Sequence, residues 1–196
     1  MHPKKQAICE VTLKLLSEPS ATNKLTLQSI AKHLNIGKST IYEYYQNKAQ
    51  IIESALGYLI DQHLEILLSD TSLLKQSFEV AFKTHYQKIL DLYQNKQSLQ
   101  EMMSHSDVAQ LPKENKDALL LKMIGAFEQS QQRLYEILSI GIKEKILNDA
   151  IDKTQLQSIE SLIFGSVLAM AQPHNDWDHS AMVDAIYLNV VRLHQH

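Results

Sequence analysis

The sequence predicts an all-α protein of about nine helices, with three short helices at the N-terminus and a larger helical body after them. Apolar residues recur at intervals of three and four in successive segments, as they do along one face of a helix. No segment shows the sustained alternation of a half-buried strand, and the hairpin dipeptides Asn-Gly and Asp-Gly do not occur. With 5 Gly and 4 Pro in 196 residues, the composition excludes collagen-like and wholly disordered chains.

The three N-terminal helices are predicted from their apolar faces and their end signals. The first begins near the N-terminus and is expected to end at Pro19. The second is predicted over 27–34, with Thr26 as its N-cap and with Leu25 and Ile30 in the positions of a hydrophobic staple. The third is predicted over 38–44.

Six longer helices are predicted after residue 47, and their expected ranges are 47–68, 73–93, 98–109, 112–147, 152–172 and 177–191. The fourth of these six exceeds 30 residues, so we expect a kink or break near Gly125 or Gly141. Asp152 and Gln155 form a capping-box pattern at the start of the next helix, which is expected to end at Pro173.

Charge divides the chain into a basic head and an acidic body. Residues 1–48 contain seven lysines and three acidic residues, a balance of +4, whereas residues 49–196 have a balance of −7. A small basic segment on an acidic chain is expected when only that segment meets a polyanion. Chance enrichment in lysine explains the same numbers, so charge alone does not identify nucleic acid as the partner.

Membrane and secreted classes are disfavoured. The charge-free stretch 161–172 is far shorter than the roughly 20 apolar residues of a membrane helix. The lysines at positions 4 and 5 precede no continuous apolar run, so we expect no secretory signal. Cys9 is the only cysteine and cannot form an internal disulfide, which fits a reducing cytoplasm. We also expect Cys9 to pack in the protein rather than to act as a redox sensor.

Residues 25–48 predict a helix-turn-helix, because two short helices are separated by only a few residues. Ala31 is small where the two helices cross, and Asn35 tolerates a left-handed backbone in the turn. Ile36 and Ile41 are the apolar anchors of the unit. The second helix then has donors for phosphates and base edges, which are Lys38, Ser39, Thr40, Tyr42 and Tyr44.

This segment resembles the DNA-binding signature of the tetracycline-repressor-like (TetR) family. The matching elements are Thr26, Ile30-Ala31, Ile36, Thr40-Ile41-Tyr42, Tyr44-Tyr45 and Lys48. Four positions depart from the usual pattern, namely Asn35 for a turn Gly, Gly37 for a capping Ser, Ser39 for Gly, and the acidic Glu43. Gly37 is a poorer N-cap than Ser by a few tenths of a kcal/mol.

The resemblance implies a DNA-binding transcriptional regulator, usually a repressor, that binds a near-palindromic operator in double-stranded DNA as a homodimer and responds to a small-molecule effector. It implies a DNA-binding domain at 1–48 and a ligand-binding and dimerisation domain at 49–196. It also implies DNA contacts from Thr26, Lys38, Thr40, Tyr42, Tyr44 and Lys48, to which the Ser39 hydroxyl adds a phosphate contact. Packing is the alternative role of the tyrosines, and we expect it for Tyr45 but not for Tyr42.

The last two predicted helices are the expected dimer interface. Residues 161–172 are uncharged and apolar on every face, so such a helix needs cover on all sides. In TetR-like proteins the last two helices usually pair with their copies. The predicted interface residues are Leu162, Gly165, Ser166, Ala169, Ile186 and Val190. The alternative is a central core helix in a monomer.

A Met- and aromatic-rich set in the body predicts a cavity for an apolar effector, although the same residues also suit an ordinary core. The set comprises Phe78, Phe82, Tyr86, Met102, Met103, Met123 and Phe127. For a cationic effector, the candidate partners are Glu79, Glu101 and Glu128, each of which also fits solvated surface.

Enzyme motifs do not occur, since the chain has no His-Glu-x-x-His, phosphate loop or Gly-x-Ser-x-Gly. We therefore expect no enzyme, cofactor or metal. His174, Asp176, Asp178 and His179 crowd one connection, for which a polar loop is favoured over a metal site. The alternative function is a helical small-molecule-binding or assembly protein that does not bind DNA.

Overall fold

The computed structural model describes residues 1–18, 25–92, 102, 105–148, 151–170 and 178–193, except the side chains of 168 and 170. Within these ranges the chain forms nine α-helices, one short 3₁₀ helix and no strand, so the all-α prediction is confirmed. The α-helices are α1 Pro3–Leu16, α2 Leu27–Leu34, α3 Lys38–Tyr42, α4 Lys48–Leu68, α5 Phe78–Leu92, α6 Ser106–Ala109, α7 Lys113–Lys143, α8 Lys153–Met170 and α9 His179–Leu193.

The chain folds as two compact units, and each has its own hydrophobic core. The first unit comprises residues 1–62 and 95–126, and the second comprises 63–94 and 127–196. In the first unit, α1, α2, α3 and the start of α4 contribute most of the buried side chains, among them Ile8, Leu15, Leu16, Ile30, Ile41, Ile51 and Ile52. Leu25, just before α2, is buried with them. The core of the second unit is built from α5, the end of α7, α8 and α9.

The predicted start of the fifth helix at residue 73 is wrong. Thr71–Lys75 forms the 3₁₀ helix, and Gln76 has an extended backbone that separates it from α5. The N–H of Phe78 donates to both carboxylate oxygens of Glu144, at 3.1 and 3.2 Å. Because Glu144 caps the helix from 66 residues along the chain, no local sequence signal marks the start of α5. The apolar periodicity alone therefore placed that start too early.

The long helix α7 continues through both glycines at which a kink or break was expected. A Cβ added at Gly141 would lie 2.8 Å from Leu147 Cδ1 and 2.9 Å from Phe78 Cγ. Gly141 therefore serves close packing inside the second unit rather than a break. The helix ends at Lys143, and Lys145 follows with a positive φ of 59°.

The capping box at the start of α8 is confirmed. The N–H of Asp152 donates to Gln155 Oε1 at 2.9 Å, and the N–H of Gln155 donates to Asp152 Oδ1 at 2.8 Å. The helix-ending roles expected of Pro19 and Pro173 lie outside the described residues. None of the helices in the described ranges has the length and apolar character that crossing a membrane requires.

Candidate functional site

Helix α2 begins at a fully formed capping box. Thr26 has an extended backbone, and the N–H of Ser29 donates to Thr26 Oγ1 at 2.9 Å. In return, the N–H of Thr26 donates to Ser29 Oγ at 3.0 Å. Leu25 and Ile30, the predicted staple pair, are both buried. The predicted N-cap of α2 is confirmed, and the Thr26 side chain stays exposed at the helix end.

The turn between α2 and α3 has the left-handed backbone that was expected of Asn35. Its φ is 51° and its ψ is 44°. The N–H of Ile36 donates to the carbonyl of Ala31 at 3.0 Å, which closes the end of α2. Because Asn tolerates this conformation better than most side chains, the turn does not need glycine.

Helix α3 buries one side and exposes the other. Ile41 is fully buried in the core of the first unit. Lys38 and Ser39 are exposed, Thr40 is half-buried, and Tyr42 is 55% exposed. Gly37 precedes the helix without a side-chain cap, as the sequence indicated. A short helix with an apolar anchor and an outer row of donors can present hydroxyl and ammonium groups to a duplex.

The two tyrosines after α3 have different surroundings. Tyr44 is half-buried, with its ring centroid 5.3 Å from that of His2. Tyr45 is buried, and its hydroxyl lies 3.0 Å from Ser54 Oγ and 3.5 Å from Cys9 Sγ. Burial raises the pKa of Tyr45 to about 12. The packing role expected of Tyr45 is confirmed, and Cys9 likewise lies fully buried in the core.

Lys48 has an intramolecular partner that sequence reasoning missed. Its Nζ lies 2.5 Å from Asp107 Oδ1, and it also donates to the carbonyl of Leu25 at 3.5 Å. The Lys48 side chain is 39% exposed and that of Asp107 is 18% exposed. Asp107 is held by α6, where its N–H donates to Nδ1 of the buried His105 at 3.2 Å. Lys48, one of the predicted DNA contacts, therefore already faces a carboxylate.

Six of the seven residues predicted to line an effector cavity are described, and these six are dispersed. Phe78, Phe82 and Tyr86 are buried in the core of the second unit, where the Tyr86 hydroxyl hydrogen-bonds to Ser166 Oγ. Met102 is buried in the core of the first unit. Met123 is exposed on α7, and Met103 lies outside the described residues.

Phe127 does line a cavity, which is in the second unit and has a volume of about 180 Å³. Most of its wall consists of leucine, isoleucine, valine and phenylalanine side chains from α4, α5, α7 and α8. Its polar residues are His63, His85, Ser130, Gln131 and Glu160. Sequence reasoning missed the two histidines and Glu160, because they stand on three different helices and share no motif.

The glutamates proposed as partners of a cationic effector lie elsewhere. Glu79 is exposed, and Lys83 Nζ lies 2.5 Å from its Oε1. Glu128 is exposed on α7, one residue after Phe127. Glu101 lies outside the described residues. Among the described residues, the carboxylate that lines the cavity is that of Glu160.

The predicted dimer residues divide into two groups. Ser166, Ile186 and Val190 are buried within the second unit, so their side chains cover the chain's own core. Leu162 and Ala169 are half-buried, and Gly165 is exposed with open space around the position of a Cβ. Among the side chains that the structure describes on α8 and α9, the large apolar ones that are exposed are Phe164, Leu188 and Leu193.

Within the described ranges, no group of three or more His, Cys, Asp or Glu side chains is arranged to hold a metal ion. Asp178 and His179, from the crowded connection between α8 and α9, lie within these ranges. Its other members, His174 and Asp176, lie outside the described residues.

The capped α2, the left-handed turn and the exposed α3 define a protein with an N-terminal helix-turn-helix. Residues 8–55 match the family model described as bacterial regulatory proteins, tetR family. This match confirms the resemblance of residues 25–48 to the TetR family. No curated protein sequence matches the chain.

The fold of the chain is similar to solved structures of transcriptional regulators. One is FadR from Bacillus subtilis in complex with stearoyl-CoA, with 19% identity, a TM-score of 0.64 and coverage of 95% of this chain and 97% of that one. FadR from Bacillus halodurans has 17% identity, a TM-score of 0.68 and coverage of 97% and 96%. The TetR-family regulator PfmR from Thermus thermophilus has 15% identity, a TM-score of 0.63 and coverage of 98% and 97%. The chain thus has the fold of TetR-family transcriptional regulators.

Proposed function

We propose that this protein is a cytoplasmic, ligand-responsive transcriptional repressor that binds a near-palindromic operator as a homodimer. The observation that carries the proposal is the two-sided character of α3. Ile41 anchors the helix in the core, whereas Lys38, Ser39 and Tyr42 stay exposed. A recognition helix needs this division, since its outer side chains must enter a major groove while the helix stays rigidly held.

The DNA-binding set that we propose consists of Thr26, Lys38, Ser39, Thr40, Tyr42, Tyr44 and Lys48. Lysine ammonium groups and hydroxyls bind phosphate oxygens, and the donors of α3 are the ones available for base edges. The +4 balance of residues 1–48 supports this assignment.

Effector control is proposed as a two-state equilibrium. An effector that binds better to a conformation with wrongly spaced recognition helices lowers operator affinity by its differential affinity for the two states. The similar FadR structure contains stearoyl-CoA, which supports the proposal that a protein of this fold binds a small-molecule effector. Helix α4 is the proposed lever, because it begins with Lys48 and also carries the cavity residues His63 and Leu67.

The dimer interface that we propose uses Leu188 and Leu193, the exposed apolar side chains of α9, together with Gly165 of α8. In a symmetric dimer, each recognition helix would meet one half-site, with half-sites about 34–36 Å apart. Leu188→Glu is expected to shift the protein toward monomer in sedimentation, because it places a charge in an apolar contact. The neighbouring exposed Asn189→Glu is the matched control and is expected to leave the dimer intact.

Selection of bound fragments from random genomic DNA tests the DNA-binding proposal directly. An enriched near-palindrome is expected, and binding to it is then measured against salt concentration. Lys38→Ala is expected to weaken binding and to flatten the salt slope by roughly one unit for each phosphate that the protein no longer binds. Lys153→Ala, an exposed lysine of α8, is the control that changes net charge equally. If no sequence is enriched, or if both variants behave alike, the assignment to α3 fails. Those results would favour the alternative, a helical small-molecule-binding or assembly protein that does not bind DNA.

A further inference from the structure

The cavity of the second unit is the right size for a compact organic molecule. Its volume of about 180 Å³ is close to that of an engineered apolar cavity of about 150 Å³ that binds benzene. Aliphatic side chains such as Ile89, Leu134 and Val167 form much of its wall. Phe127 and Phe164, which also line it, are largely exposed and therefore stand where the cavity meets solvent.

Among the described residues that line the cavity, two carry buried polar atoms without a hydrogen-bond partner. Glu160 accepts a hydrogen bond from Gln131 Nε2 on Oε2 at 2.7 Å, but its Oε1 is buried without a partner. His85 is 2% exposed, and its Nδ1 is buried without a partner. Buried polar atoms in folded proteins are almost always hydrogen-bonded, so these two indicate a missing partner. For a carboxylate oxygen, that partner must be a donor.

The charges around the cavity favour a cation over an anion. Burial lowers the pKa of both His63 and His85, that of His85 to about 4, so both rings are neutral at pH 7. Two cations act electrostatically on His85, and both have their own partners. Arg133 donates to the carbonyls of Asp70 and Leu68 at 3.1 and 2.9 Å and pairs with Glu136, and Lys88 pairs with Asp70.

We propose that this cavity binds a compact lipophilic ammonium ion, with Glu160 as its counter-ion. The N–H bonds of such a ligand supply the donors that the Glu160 carboxylate lacks, and its apolar part fits the aliphatic wall. The faces of Phe127 and Phe164 attract the cation as it enters. An anionic headgroup would instead bring like charge to Glu160. The ligand's role as an effector rests on the proposed function, but its binding does not.

Calorimetric titration of the full chain without DNA tests the site, with three probes of nearly equal shape. These probes are 2-phenylethylammonium, neutral 2-phenylethanol and anionic phenylacetate, and stearoyl-CoA is titrated as a fourth ligand. We expect the ammonium to bind at least about tenfold more tightly than either isostere. Glu160→Gln keeps the side-chain shape and is expected to abolish that preference. Glu128→Gln, the exposed neighbour of Phe127, is the matched control and is expected to preserve it.

Several results would overturn the proposal. They are equal or tighter binding of the alcohol or the acid than of the ammonium, no binding of any of the three, or tighter binding of stearoyl-CoA than of the ammonium by the native chain. A thermal unfolding midpoint of Glu160→Gln close to that of the control variant shows that Glu160→Gln is folded.

Operator binding is measured separately with and without the ammonium. A bound ammonium that leaves operator affinity unchanged overturns its role as an effector, whereas a chain that binds no operator overturns the proposed function and leaves the site standing.

Discussion

Asp107→Asn is expected to tighten DNA binding, because it releases Lys48 from an intramolecular ion pair. In the native chain, Lys48 Nζ lies 2.5 Å from Asp107 Oδ1, so a phosphate must compete with this carboxylate for the same ammonium. Asparagine keeps the shape of the side chain and removes its charge. The substitution therefore weakens the carboxylate's competition with phosphate and keeps Lys48, the residue that we propose binds the phosphate.

The magnitude follows from the exposure of the pair. Lys48 is 39% exposed and Asp107 is 18% exposed, so the pair belongs with partly solvated ion pairs, which contribute roughly 0.2–1 kcal/mol. Removing a competitor of that strength raises DNA affinity by up to about fivefold per subunit. Each lysine that newly reaches a phosphate steepens the dependence of log affinity on log salt by about 0.9.

The assay is a fluorescence titration of operator DNA at several salt concentrations. Lys48→Ala is expected to weaken binding, and Asp107→Asn in the Lys48→Ala background is expected to add nothing. Asp117→Asn removes an exposed carboxylate of α7 and controls for net charge. Competition between Asp107 and phosphate for Lys48 is excluded if Asp107→Asn leaves the affinity and the salt slope unchanged, or if the gain in affinity persists in the Lys48→Ala background.

Four further outcomes are expected. Tyr42→Phe should weaken operator binding by about 0.5–1.5 kcal/mol in the same titration and leave the unfolding midpoint unchanged, because the hydroxyl is on an exposed side chain. Gly141→Ala should lower the free energy of unfolding by about 1–3 kcal/mol in urea titrations, because the added Cβ would crowd Leu147. Gly125→Ala in the same helix should raise it by about 0.5–1 kcal/mol, since its Cβ would meet open space. The free energy of unfolding should fall by up to about 3 kcal/mol as the pH is lowered from 6.5 to 4, because burial lowers the pKa of native His85 to about 4 and the unfolded chain binds the proton first. His85→Gln should make the free energy of unfolding less dependent on pH in this range.

The helix-turn-helix was predictable because its determinants lie within a few residues of one another. Thr26 and Ser29 satisfy each other's backbone donors across a single turn of α2. Asn35 takes up the left-handed conformation by its own local preference. The alternation of Ile41 with exposed donors along α3 is likewise visible in five consecutive residues.

The cavity was not predictable at the level of residues. Phe78, Phe82 and Tyr86 have the composition of a ligand site, but the packing of α5 against α9 buries them in the core. A helix pattern shows which residues share a face. It does not show whether that face meets a neighbouring helix or a cavity, because this depends on the angles and distances between helices.

The amino-acid sequence alone determined the all-α fold, the helix-turn-helix with its N-cap and left-handed turn, and the hydrogen-bond donors that α3 exposes. Hydrogen bonds and side-chain preferences over three or four residues are sufficient for each of these features. Only the tertiary structure decided that Asp107 pairs with Lys48, that Glu144 caps α5, and that Glu160 and His85 meet at one cavity. The physical reason is that each of these contacts joins residues far apart in the sequence, and only packing of the whole unit brings them within reach.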